Sequence, residues 1–166
     1  MLQKFSQKPE QMQTIIEKFY KAFINLDANK MTSCYHDDIV FEDPAFGVLK
    51  GEKAKAMWQM LCESQKGKAF TVVVSDIKGN AINGSAHWEA HYTFSRTGRN
   101  VHNKIDATFQ FKDGLIIKHY DHFNLHNWAK QAMGLKGFIV GRTRYFSTKL
   151  KLQTNNLLDT YIANSI

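Results

Sequence analysis

Residues 109–128 read FQFKDGLIIKHYDHFNLHNW, and their pattern is the most informative in the chain. Two extended runs meet at Asp113-Gly114, a dipeptide typical of a hairpin turn. Period-two alternation along the second run places polar side chains on the same face as its apolar ones, so a hydrophobic core is expected to enclose two polar groups. The predicted inward set is Leu115, Ile117, His119, Asp121 and Phe123.

Turn residues upstream divide the chain into further strands. Gly79-Asn80 and Thr97-Gly98 separate extended runs over about 69–78, 81–96 and 99–112. Alternation then predicts two inward rows, which are Trp88, Ala90, Tyr92 and Phe94 in one strand and Ile105, Ala107, Phe109 and Phe111 in the next. Asp106 and His102 are expected to face outward.

Two helices precede these strands. Apolar residues recur along residues 10–26 and 51–66 with the spacing of one buried helical stripe. Between them lie a short helical stretch over 30–35 and an extended run that Pro44 stops, since proline donates no ladder hydrogen bond. This order predicts an α+β fold in which helices cover one face of a curved, mainly antiparallel sheet.

Composition and charge exclude several classes of protein. The 166 residues, 43% hydrophobic and 13% aromatic, suffice for one packed domain, and two cysteines are too few for a disulfide scaffold. No apolar run is long enough for a secretion leader or a bilayer span, so we expect a cytoplasmic protein. Of the net charge of +7, residues 134–166 carry +4. Spread cations there are typical of a solvated helix face, so nucleic acid is not an expected partner.

Three motifs carry a resemblance to a known family. They are YHDDIVFEDPAFG at 35–47, G-x-x-x-x-x-MW at 51–58, and TGRN followed by the 109–128 stretch. Together they resemble the nuclear transport factor 2-like superfamily, including SnoaL-like proteins, from Glu10 to Met133. The resemblance implies a cone-shaped domain over 1–133 with a small apolar pocket. Residues 134–166 are similar to a basic, helical C-terminal extension of the same domain in a bacterial group of that superfamily.

The resemblance also implies candidate chemistry. Ketosteroid isomerases have a base aspartate and a helix-one tyrosine at the positions of Asp43 and Tyr20. Their second, protonated acid falls on Asp106 or Ala107, depending on the length allowed for the turn. In limonene epoxide hydrolases the last-strand aspartate falls on Asp121. The other two catalytic positions of those hydrolases hold Trp88 and Ala90 here, so neither activity transfers directly.

Four polar residues are predicted to converge on the pocket: Tyr20, Asp43, His119 and Asp121. A carboxyl among aromatic side chains holds its proton more tightly, so Asp121 or Asp43 is expected to shuttle a proton, with His119 or Tyr20 assisting. The resemblance implies isomerase-, cyclase- or hydrolase-like chemistry on a small hydrophobic molecule, without a cofactor. The expected ligand contacts are Trp88, Tyr92, Phe41, Asn103, Ile105 and Phe123.

Two other functions stay open. The pocket could bind a ligand without turnover, or the chain could be an interaction module that uses the outer sheet face and the basic tail. Relatives commonly dimerise through that sheet face, so a homodimer is expected. No metal site is predicted, because His119 and His122 point to opposite faces of one strand.

Overall fold

The computed structural model describes residues 9–165 as six helices and six strands. Residues 1–8, on which the expectation about secretion rests, and residue 166 lie outside the described part. The helices are α1 (Pro9–Ile24), α2 (Ala28–Thr32), α3 (Glu52–Gln65), α4 (Leu125–Met133), α5 (Leu135–Val140) and α6 (Arg144–Asn164). The strands are β1 (Tyr35–Asp43), β2 (Gly47–Lys50), β3 (Thr71–Gly79), β4 (Asn83–Phe94), β5 (Arg99–Lys112) and β6 (Leu115–His122). The predicted α+β class is confirmed.

The six strands form one sheet in the order β2-β1-β6-β5-β4-β3. Only β1 and β6 pair in parallel, and this pairing sets Phe41 beside His119. The β5–β6 hairpin turns at Asp113-Gly114, whose φ values of 52° and 78° are the positive values that a type I′ turn requires. The predicted hairpin is confirmed, and the parallel pairing brings the strand of Asp43 next to the strand of Asp121.

Alternation along β4 and β5 gives the sheet a buried inner face and a more exposed outer face, as predicted. Helices α1 and α3 cover the inner face with Phe19, Tyr20, Phe23 and Trp58, all buried. Asp106 faces outward and Ala107 faces inward, where it pairs across the ladder with Asp121. The buried inner residues of the two strands are Ala86, Trp88, Ala90, Val101, Ile105, Ala107, Phe109 and Phe111.

The prediction for the start of β6 is wrong. Ile116 is fully buried there, whereas Leu115 and Ile117 are only half-buried. The cause is a register shift between β5 and β6 next to Phe111, because such an irregularity re-aims the side chains around it. Alternation holds again further along the strand, where His119 and Asp121 are buried.

Helix α6 packs on the core through Leu158, which is fully buried. The neighbouring Leu157 is exposed, because one position turns a helical side chain by about 100°. Nearer the start of the helix, Phe146 is buried.

Candidate functional site

The inner face of β6 holds a buried pair of polar residues. His119 is 0% exposed and Asp121 is 4% exposed, and Nε2 of His119 lies 3.0 Å from Oδ1 of Asp121. The indole of Trp88 donates to the same oxygen at 3.2 Å. One carboxylate oxygen of Asp121 therefore has two N–H partners inside an aromatic core.

A chain of hydrogen bonds leads to this pair from the helices. Nε1 of Trp58 donates to the Tyr35 hydroxyl at 2.7 Å, and that hydroxyl lies 2.7 Å from Nδ1 of His119. An indole can only donate, so the single proton of Tyr35 is left for Nδ1. An imidazole that carries a single proton would then hold it on Nε2, from which it points to Asp121. Burial, followed by the charge of Asp121, raises the pKa of Tyr35 well above its usual value.

Sequence reasoning missed Tyr35 and Trp58. The hydrophobic pattern places Trp58 on the apolar stripe of the second helix and Tyr35 at the end of the short helical stretch. Each side chain nevertheless has a polar end that needs a hydrogen-bond partner when it is buried. The residue types alone indicate that these polar ends need partners. The identity of the partners could not be read from the sequence, because Tyr35 and His119 are 84 positions apart in the chain.

Tyr20 of α1 is the unusual member of the core. Its hydroxyl is completely buried and has no hydrogen-bond partner among the described residues. The ring lies between Trp88 and Phe109, with centroid distances of 6.1 and 6.3 Å. Burial and then the charge of Asp121 raise the pKa of this hydroxyl well above its usual value. An unpaired buried donor destabilises a fold by roughly 1–3 kcal/mol, so Tyr20 marks a place where another polar group would bind favourably.

Asp43 ends β1 at the rim of the core. Its Oδ1 accepts hydrogen bonds from the backbone N–H groups of Ala45 and Phe46 at 2.9 and 2.6 Å, as in an Asx turn. Burial raises the pKa of Asp43 to about 7, and the charge of Asp121 adds to this rise, although the two N–H bonds and Lys151 oppose it. A carboxyl that is half protonated near neutral pH has the pKa that proton transfer requires.

The C-terminal helices complete the surroundings of Asp43. Thr154 and Asn155 of α6 donate to the carbonyl oxygens of Ala45 and Phe46, each at 2.8 Å. In α4, Trp128 donates to the Tyr92 hydroxyl at 2.7 Å. The part of the chain beyond residue 124 therefore covers the end of the sheet at which Asp43 lies.

The predicted ligand contacts fall into two groups. Phe41, Trp88 and Ile105 are buried in the main core, and Phe41 stacks edge-on against His119 at 5.3 Å between ring centroids. The others, Tyr92, Asn103 and Phe123, are half-buried. Tyr92 and Phe123 pack against the smaller apolar cluster that contains Trp128.

An open pocket between these groups stays a prediction. Tyr20 and His119 have no surface that a water molecule can reach, so side chains fill the space around them. Two surface concavities of about 300 and 570 Å³ lie elsewhere. One is lined by residues around the β3–β4 turn, and the other by residues of α2, α3 and the end of α6.

The outer face carries a second polar network. Asp106 lies 2.8 Å from His87, which in turn lies 3.3 Å from Glu89, and Glu89 also bonds to His102. The bond to His102 is the main reason why the pKa of Glu89 falls to about 2. The ring of His91 stacks on that of His102 at 3.8 Å.

Three residues of this outer network could bind a metal ion. Donor atoms of Glu89, His91 and His102 lie within 4.8 Å of one another, and two imidazoles with a carboxylate suit zinc or a similar ion. The prediction of no metal site rested on His119 and His122 and did not consider this cross-strand group. Glu89 already has His87, His102 and Lys104 as partners, so the network is balanced without an ion.

Comparison with known proteins gives a family and a fold. A family model described as SnoaL-like domain matches residues 16–119. No curated protein matches the sequence. Among solved structures, a Xanthomonas campestris pv. campestris protein proposed to be a polyketide cyclase has a TM-score of 0.62 at 17% identity, covering 76% of this chain and 99% of its own.

Two further structures are similar to the same extent. A Mycobacterium tuberculosis epoxide hydrolase of the limonene epoxide hydrolase-like type has a TM-score of 0.60 at 20% identity, covering 80% of this chain and 97% of its own. An NTF2-like protein of unknown function from Burkholderia pseudomallei has a TM-score of 0.62 at 13% identity, covering 74% and 98%. These likenesses show the nuclear transport factor 2-like fold that the sequence predicted.

Proposed function

The chain belongs to the SnoaL-like domain family, and we propose that it binds a small hydrophobic molecule and transfers a proton on it. In this proposal Asp43 is the acid–base group, and Asp121 with His119 holds the inner end of the site. The observation that carries it is the contrast between two neighbouring carboxyl groups. Asp43 has a pKa of about 7, whereas Asp121 receives two N–H bonds. Paired carboxyls in different surroundings are a frequent basis of acid–base catalysis.

Tyr20 supplies the second element of the proposal. Its unpaired hydroxyl is a donor without an acceptor, and a carbonyl or hydroxyl oxygen of a ligand would provide one. We expect the ligand to enter beside the half-buried Tyr92 and Phe123 and to displace side chains on its way inward. Asp43 at the rim would then exchange a proton with the ligand while Tyr20 holds its oxygen.

The remaining inner positions narrow the chemistry. Ala107 lies inward opposite Asp121, so β5 brings no second carboxyl to the site, and the outward Asp106 is remote from it. A steroid isomerase with two acids at the oxyanion is therefore disfavoured. Epoxide opening would require an arginine and an aspartate at the two positions that Trp88 and Ala90 occupy here. Proton exchange next to a carbonyl group is the simplest reaction that Asp43 and Tyr20 can support.

Deuterium exchange tests this proposal. With 2-tetralone as a small hydrophobic ketone in D₂O, NMR would follow loss of the α-proton signal. Asp43→Asn keeps the size of the side chain and removes the titrating proton, so the catalysed rate should fall by about 10²-fold or more. Asp106→Asn makes the same change on the outer face and should leave the rate unaltered. Equal rates in the wild type and the Asp43 variant would contradict the assignment.

Binding without turnover is the second candidate, and the hydroxyl of Tyr20, which has no partner among the described residues, favours it. In that case 2-tetralone would perturb the NMR signals of inner-face residues in both the wild type and Asp43→Asn, while the α-proton remains in place. A third alternative, an interaction module built from the outer sheet face and the basic tail, predicts a partner or a second copy on that face and no signal changes inside.

A further inference from the structure

Helix α5 packs against α4 through glycines. A Cβ atom at Gly137 would lie 1.9 Å from the backbone oxygen of Ala129, and one at Gly141, just after the helix, would lie 2.9 Å from the Ala129 side chain. Only glycine fits so close an approach, since real Cβ atoms do not come within 3.0 Å of such groups. At these two positions the backbone of α5 therefore approaches α4 without an intervening side chain.

The opposite side of α5 presents large apolar residues to solvent. Leu135, Phe138 and Ile139 are 81%, 55% and 72% exposed, and their spacing places them on one face of the helix. This is the reverse of an ordinary surface helix, which buries its apolar face. Val140 and Tyr145, which follow along the chain, are also exposed. We call these five residues the apolar tip: Leu135, Phe138, Ile139, Val140 and Tyr145.

Cations flank the apolar tip along the sequence. The chain has no aspartate or glutamate between His122 and Leu158. Lys136, Arg142, Arg144 and Lys149 are exposed and form what we call the basic collar. No carboxylate pairs with the collar among the described side chains. Nζ of Lys149 instead lies 5.5 Å from the ring centroid of Tyr145, a member of the tip.

We propose that the apolar tip and the basic collar dock the protein on the surface of an anionic lipid bilayer. Apolar side chains would enter the boundary between headgroups and acyl chains, while the collar contacts lipid phosphates. A second copy of the chain is a poorer partner, because joining two tips would also bring two basic collars together. No described helix is long and apolar enough to cross a membrane.

Vesicle sedimentation with the full chain tests the proposal. The protein should pellet with vesicles of phosphatidylcholine and phosphatidylglycerol in equal parts, and at least tenfold less with phosphatidylcholine alone. The double variant Phe138→Ser/Ile139→Ser should lose most of the binding. Lys136→Gln/Arg144→Gln should weaken it by roughly tenfold or more, since each cation near an anionic surface contributes about 1 kcal/mol. Added salt should weaken the wild type in the same way.

Matched controls distinguish binding through the apolar tip and the basic collar from nonspecific binding through other exposed residues. Ile82→Ser removes an exposed apolar residue from the β3–β4 turn, and Lys50→Gln/Lys112→Gln removes two cations elsewhere; both should bind like the wild type. Unchanged thermal unfolding would show that each variant is folded. Equal binding to both kinds of vesicle, or none to either, would overturn the proposal. So would a dimer, seen by light scattering, that Phe138→Ser/Ile139→Ser abolishes without any effect on vesicles.

Discussion

The inner and outer faces of the sheet each hold histidines paired with carboxylates, in opposite surroundings. Inside, His119 and Asp121 are buried among aromatic rings at 3.0 Å. Outside, His87 and Asp106 are slightly closer, at 2.8 Å, yet the Asp106 side chain is 80% exposed. Water and salt screen the outer pair, whereas the inner pair has only its protein partners. The distance between a histidine and a carboxylate therefore says little about their role, and their burial says much more.

The largest difference should come from removing one histidine on each face. His119→Ala leaves Asp121 and Tyr35 buried without their main partner and opens a cavity, so the free energy of unfolding should fall by about 3–5 kcal/mol. His102→Ala on the outer face should cause a loss several times smaller, because water replaces the imidazole. Urea unfolding measures both. Equal losses would mean that the two networks contribute alike.

The pH dependence of stability sharpens the comparison at Asp43. Its folded pKa of about 7 lies above the ordinary value of 3.8, so the folded protein binds this proton more tightly than the unfolded chain. Stability should fall as the pH rises from about 4 to 7 and then level off. Relative to Asp43→Asn, the wild type should lose about 2–4 kcal/mol over that range. A constant difference between the two proteins would contradict the raised pKa.

Tyr20→Phe removes a buried hydroxyl that has no partner. The variant should be more stable by about 1–2 kcal/mol, since it no longer desolvates an unpaired donor. The same change should slow deuterium exchange of 2-tetralone if the hydroxyl binds the ligand oxygen. Thermal unfolding and the exchange assay together separate the two effects. Lower stability would show that the hydroxyl has a partner in solution.

The smallest effect is expected for Glu89→Gln on the outer face. The pKa of Glu89 falls to about 2 because of its bond to His102, so its contribution is present above its ordinary pKa and is lost as the pH falls toward 2. The midpoint of thermal unfolding should drop slightly at neutral pH, and added salt should reduce the difference. A drop that resists salt would indicate that this face is covered in solution.

Much of this comparison could be predicted from the sequence, because alternation depends only on local geometry. It placed His119 and Asp121 inside and Asp106 outside. The choice between Asp106 and Ala107 for the position opposite Asp121 needed the register of β5 and β6, which only the structure gives. The start of β6 was wrong because the register shift next to Phe111 depends on how two strands pair. Local pattern carries no information on such an irregularity.

The parts of the site that escaped prediction depend on distant contacts. The bonds that orient His119 come from Tyr35 and Trp58, which only the folded chain brings together. The pKa of Asp43 likewise depends on burial under the C-terminal helices and on the charge of Asp121. The exposed side of α5 could not be recognised either, because the need for glycine there depends on how close Ala129 of α4 lies in the folded chain.

The most direct measurement is a ¹³C NMR titration of the protein with labelled aspartate carboxyl carbons. One signal should titrate near pH 7, and Asp43→Asn should remove it. If the signal that Asp43→Asn removes titrates below about pH 5, as ordinary carboxyls do, the environment of Asp43 is not the one described and the proposed acid–base role is wrong.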